Sequence, residues 1–166
     1  STTVVWAATT PITLGTTETL APGIGRVGSV ADVRITVPDG YTGSTYGTTN
    51  DLTSIASTIT DLTIQGASSA SVLNLSQINL PARTLNSVTI KGLSISGVNE
   101  STATKPYNLL YYIFSPSNGG NVTNLTFQNC KIANFRGVVR LNNATASSFN
   151  NIKFDGCDIR SIADYN

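Results

Sequence analysis

Nine residues recur along this chain. Asn124-Leu125-Thr126-Phe127-Gln128-Asn129-Cys130-Lys131-Ile132 returns 27 residues later as Asn151-Ile152-Lys153-Phe154-Asp155-Gly156-Cys157-Asp158-Ile159. An earlier copy reads Ser87-Val88-Thr89-Ile90-Lys91-Gly92-Leu93-Ser94-Ile95. After the first residue, all three follow one pattern: apolar, polar, apolar, polar, Gly or Asn, apolar, polar, Ile. Alternation with period two is the mark of a strand with one buried face. A short repeat cannot bury that face alone, so neighbouring copies must stack. The repeat therefore says much about fold and little about function.

Taking the first inward apolar residue as anchor gives Val33, Leu62, Val88, Leu125 and Ile152, at intervals of 29, 26, 37 and 27. Those lengths are too irregular for a tight helical solenoid and suit coils of strands with loops of variable length. Val33-Arg34-Ile35-Thr36-Val37 alternates cleanly and ends in Pro38-Asp39-Gly40, a strong turn signal. Ile59 to Gly66 matches the repeat, with Gly66 in the place of Gly92, Asn129 and Gly156. These residue types tolerate positive φ, so a left-handed bend is expected at all four. A second register lies upstream. Phe114 stands 13 residues before Phe127, and Leu141 stands 13 before Phe154. With a short third strand around Cys-x-Ile, each late coil has three strands. That describes a parallel β-helix, in which like residues stack along three parallel sheets and Asn124, Asn151 and Asn129 add ladders of hydrogen bonds.

Composition agrees. The 166 residues fit one domain, and only 11% are charged, well below the usual quarter. Thr, Val and Ile favour strands, and no window carries a long helical stripe, so almost no helix is expected. Residues 1–29 read as an N-terminal cap with opening strands, Trp6 packing over one end of the core. Leu20-Ala21-Pro22-Gly23 reads as the end of a short strand and a turn. Residues 30–166 read as the coils. Asn166 falls where a further strand is due, so the chain is expected to be the N-terminal part of a longer helix, or to have its open end covered. The absence of Met and the start at Ser1 suggest a processed or trimmed product.

Several functions are disfavoured. Net charge is +1 with charges scattered singly, so no basic patch follows a phosphate backbone and nucleic acid is not the expected partner. No apolar run approaches the roughly 18 residues of a membrane span. His is absent, which removes the commonest general base and His-based metal or nucleophile chemistry. Cys130 and Cys157 share one slot with Leu93. They read as stacked buried thiols. A disulfide is the other reading, at the short limit of the permitted Cα separation.

The two Cys-containing repeats, with Ile35-Thr36-Val37-Pro38-Asp39-Gly40-Tyr41 as an opening coil, resemble the right-handed parallel β-helix of the pectate-lyase-like superfamily. The Arg136-Gly137-Val138-Val139-Arg140-Leu141 segment resembles pectate-lyase-like domains of polysaccharide-degrading gut bacteria. The resemblance covers residues from about 30 to 166. It implies an all-β fold: a pectin-lyase-like solenoid of about five coils, exported to the cell surface, periplasm or medium. It also implies a polysaccharide partner. In such proteins β-elimination uses an Arg or Lys base, often with Ca²⁺ on the uronate, and hydrolysis uses paired carboxylates.

Neither constellation is plain in these residues. Asp155, Asp158, Arg136, Arg140, Lys153 and Arg160 form the densest charged group. Arg140 is expected to point outward, between inward Val139 and Leu141, and exposed Arg binds carboxylate or sulfate bidentately. The other reading of this group is a solvated strand face. Tyr107 and Tyr111 lie in the longest insertion and are candidates to stack on sugars, while Tyr112 and Phe114 are expected in the core. The carbohydrate-binding candidates are thus Arg136, Arg140, Tyr107, Tyr111 and Asp158. No cofactor is evident and no metal site is expected here, Ca²⁺ being a prospect for the longer parent protein. Two functions stay open: a lyase-like enzyme with its centre beyond Asn166, and a non-catalytic glycan-binding or adhesin-like scaffold. A β-sandwich adhesin is a third reading, but it requires turns every 8–12 residues or so.

Overall fold

The computed structural model describes residues 9–75, 77–97, 112–116, 119–141 and 147–162. A strand β1 (Thr10–Thr13) leads to a helix α1 (Leu20–Gly25), then to β2 (Asp32–Val37), β3 (Thr49–Asp51) and β4 (Asp61–Gly66). Next come β5 (Val72–Asn74), β6 (Gln77–Leu80), β7 (Thr84–Lys91), β8 (Ser94–Ser96) and β9 (Tyr112–Pro116). The chain continues through β10 (Asn121–Gln128), β11 (Lys131–Phe135) and β12 (Gly137–Val139). It ends with β13 (Ser148–Phe149), β14 (Ile152–Asp155) and β15 (Asp158–Ile162).

The fold is mostly β, and every strand pair among the described residues is parallel. A seven-stranded sheet runs β1-β2-β4-β7-β10-β13, with β14 also on β10. A second sheet runs β5-β8-β11-β15, and a third β3-β6-β9-β12. From β4 onward the chain visits the first, second and third sheets in that order and then begins again. Register follows the apolar anchors. Val33 pairs with Leu62, Leu62 with Val88, Val88 with Leu125 and Leu125 with Ile152. Every anchor but the last is buried, because one step of slippage would turn the whole apolar set to water. In the second sheet Ile95, Ile132 and Ile159 align, and Phe135 meets Ile162.

The core is a stack of like residues. Phe127 lies flat on Phe154, centroids 5.2 Å apart and planes 10° from parallel, and meets Phe114 at 6.1 Å. Leu125, Phe127 and Ile132 are buried, whereas their partners Ile152, Phe154 and Ile159 are 46, 40 and 41% exposed. These last three lie on β14 and β15, which have no outer neighbour among the described residues. Cys130 is buried, Cys157 half-buried, and both are free thiols. Burial pushes the Cys130 thiol above its ordinary pKa.

Four expectations need correction. Leu20–Gly25 is a short helix, not the end of a strand. Leu20 and Ile24 lie one turn apart and are buried, and Pro22 sits in the first turn, where its missing N–H is no loss. Gly92, Asn129 and Gly156 are left-handed at φ 63°, 52° and 63°, but Gly66 is not. Glycine is needed there for closeness: a Cβ would run into the Gly92 carbonyl oxygen and lie 2.9 Å from Ser71 Cβ. Phe114 pairs with Val139, not Leu141. The link from third sheet to first is two residues longer in the later round, so Leu141 falls past the strand and is 49% exposed. Tyr112 is only half-buried, its ring lying across Gly137, where a Cβ would sit 2.8 Å from Cε1. Trp6 lies outside the described residues.

Candidate functional site

Alternation sends every second residue of the seven-stranded sheet outward, and the parallel register lines these residues up across strands. Three rows result. The border row is Asp32, Asp61, Ser87, Asn124 and then Asn151. The middle row is Arg34, Thr63, Thr89, Thr126 and Lys153. The far row is Thr36, Gln65, Lys91, Gln128 and Asp155.

The border row satisfies itself. Asp32 accepts from the Thr9 hydroxyl at 2.8 Å. Asp61 accepts from Thr60 at 2.8 Å, Asn86 at 2.9 Å and Ser87 at 2.6 Å. Burial alone would raise the Asp61 carboxyl, but these three hydrogen bonds outweigh it and hold the group below the usual carboxylate range. Asn151 donates to Asn124 Oδ1 at 3.2 Å and to the Thr123 carbonyl at 3.0 Å. Asn124 donates to the Asn86 carbonyl at 3.0 Å, so the expected asparagine ladder is present at these positions.

The middle and far rows are different. Gln65 donates to Thr36 Oγ1 at 3.1 Å. Among the described residues, the side chains of Arg34, Thr63, Thr89, Lys91, Thr126, Gln128, Lys153 and Asp155 make no other hydrogen bond or ion pair. Arg34, Lys153 and Asp155 are exposed and the rest half-buried. Donors and acceptors thus face water at strand intervals of about 4.8 Å, on strands whose inward residues are buried from β2 to β10 and partly open on β14. Such a surface suits an extended polar polymer that crosses the strands.

The charged residues singled out by sequence density fall into separate places. Lys153 and Asp155 are on the first sheet, and Asp158 and Arg160 on the second. Arg136 and Arg140 flank β12 of the third. Asp158 is tied to Arg160 of its own strand, at 2.9 Å from Nε to Oδ1 and 2.7 Å from Nη2 to Oδ2. That pairing lowers its carboxyl and occupies the fork a ligand would need. Arg136 is exposed, its guanidinium carbon 6.0 Å from the Tyr112 ring centroid. Its neighbour Phe135 is four residues along β11 from the partner of Asp158, about 13 Å at strand rise. Arg140 is exposed, as expected, and its backbone N–H donates to the Phe114 carbonyl at 3.0 Å. Tyr107 and Tyr111 lie outside the described residues.

Calcium fits poorly. No group of three acidic or Cys side chains suited to a metal occurs among the described residues. Asp61 spends its lone pairs on three donors, and Asp158 is held by Arg160. Hydrolysis by a carboxylate pair fits no better. Asp32 and Asp61 are neighbours in register, but a general acid needs a raised pKa and that of Asp61 is lowered.

Charge density along the chain does not reveal these rows, because their members lie far apart in sequence; alternation carried across strands does, since every member is a polar position of a strand. No protein-family model, curated protein or solved structure matches this chain.

Proposed function

We propose that this chain is an exported, polysaccharide-associated protein that binds glycan on the outward face of its seven-stranded sheet. One observation carries the reading: the unengaged Thr, Gln, Lys and Arg side chains of the middle and far rows, repeated strand after strand on a rigid base. The scaffold is a right-handed parallel β-helix of the pectin-lyase-like kind, with about five coils. Support for this comes from the fixed order in which the chain visits three parallel sheets and from the strong right-handed preference of parallel crossovers. The strands beneath these side chains are already fixed in a parallel ladder, so binding need not order the backbone, which favours affinity.

Affinity electrophoresis in gels cast with pectin, alginate, glycosaminoglycan or neutral glucan tests the reading. Retardation by at least one polymer is expected, relieved by the double substitution Thr126→Val and Gln128→Val. Unaltered mobility in every gel would overturn it.

A lyase-like activity is the second reading, favoured by unpaired Arg34, Lys91 and Lys153 on the same face. Elimination leaves an unsaturated uronate that absorbs in the ultraviolet. Signal from this chain, abolished by Lys91→Ala or Lys153→Ala, would put the base on these cations, and its absence would overturn that reading.

A further inference from the structure

The geometry points to a specific ligand class: an extended glycan with one anionic group on every second sugar, lying across the strands. This deepens the polysaccharide reading and rests on it.

The cations of the face alternate by strand. Arg34 is on β2, Lys91 on β7 and Lys153 on β14, each two strands from the next. The strands between, β4 and β10, carry the same uncharged pair: Thr63 and Gln65, then Thr126 and Gln128. At about 4.8 Å per strand, the cations stand roughly 9.6 Å apart along the sheet. Lys91 is one outward position further along its strand than the other two, about 7 Å, an offset that long side chains span. The advance per sugar of an extended β-linked glycan is comparable with the strand spacing of about 4.8 Å. One sugar then lies over each strand, and a cation meets every second sugar. Threonine and glutamine meet the hydroxyls of the sugars between.

The face also carries carboxylates. Asp32 and Asp61 lie in the border row, and Asp155 lies two residues from Lys153. Three cations against three carboxylates leave the face neutral. It therefore attracts polyanions weakly at long range, and specificity rests on register. A polymer charged on every sugar would set anions over β4 and β10, which offer no cation, and β4 carries Asp61 in the border row. A neutral polymer would cover the cations without pairing them. Both arrangements cost binding energy, and selectivity comes from those costs as much as from the favourable contacts.

Calorimetric titration of the whole chain with three hexasaccharides tests this. Hyaluronan carries a carboxylate on alternate sugars, polymannuronate on every sugar, and cellohexaose on none. Hyaluronan is expected to bind about tenfold tighter than either, and Lys91→Ala or Arg34→Ala to erase most of that margin. Lys131→Ala, on the outer face of the second sheet, should change nothing, and circular dichroism should show all variants folded. Equal or tighter binding of polymannuronate or cellohexaose, insensitive to Lys91→Ala, would overturn the alternate-charge inference and leave the polysaccharide reading standing. Absence of binding by all three and by every gel polymer above would overturn both.

Discussion

Replacing Phe127 by alanine removes a fully buried ring from the middle of the stack. Its flat partner Phe154 and tilted partner Phe114 would both face a void. Such Phe→Ala changes cost about 3–5 kcal/mol, because lost transfer energy and an unfilled cavity add. The matching change at Phe154 is a control in the same slot one strand outward. Phe154 is 40% exposed, so about three-fifths of a burial worth roughly 2–3 kcal/mol is at stake, near 1.5 kcal/mol. Its outer side is open, so no sealed cavity forms. For a chain of this size each kcal/mol moves the melting temperature by about 2–4 °C. Phe127→Ala should then melt about 6–20 °C lower and Phe154→Ala about 3–6 °C lower, as followed by far-ultraviolet circular dichroism. Phe127→Asp should be worse than either, since it would bury a charge. Equal shifts for the two alanine variants, or an unchanged melt for Phe127→Asp, would refute the inward register.

Asp61→Ala should cost about 1–2 kcal/mol at neutral pH through its lost hydrogen bonds. Since the folded carboxyl titrates below its unfolded value, this contribution is full above about pH 4 and fades as pH falls through the folded pKa; a penalty that grows as the solution is acidified below about pH 4 would contradict it. Gly66→Ala should destabilise by about 1–3 kcal/mol through collision with the Gly92 backbone. Gly92→Ala, with space for a Cβ but positive φ, should cost nearer 1 kcal/mol; the reverse order in urea denaturation would contradict the close approach at Gly66. A thiol reagent should label Cys157 in the folded protein and Cys130 only after denaturation, whereas labelling of neither in denaturant without reductant would mean a disulfide.

The strand register was legible because period-two alternation leaves no freedom. Val33, Leu62, Val88, Leu125 and Ile152 can share a buried slot in only one way, and the pairing follows them. Local chemistry was less legible. The helix at Leu20–Gly25 spans too few residues to show a helical period. Glycine at position 66 serves a close backbone approach that only the neighbouring strand reveals. Counting back from Phe154 to Leu141 assumed equal links, and links between sheets are where lengths vary. The outward face was hidden for a related reason: Arg34, Lys91 and Lys153 are far apart in the chain and become a series only when strands stack. Arg136, Arg140 and Asp158 are close in sequence, yet the turns between strands direct them to different sheets.

Backbone amide shifts of isotope-labelled protein, followed by nuclear magnetic resonance as hyaluronan, alginate or glucan oligosaccharide is added, test the binding face most directly. The account predicts perturbations concentrated on β4, β7 and β10, at Thr63, Gln65, Thr89, Lys91, Thr126 and Gln128. Perturbations gathered instead around Arg136 and Arg140, or at Asp158 and Arg160, would contradict it.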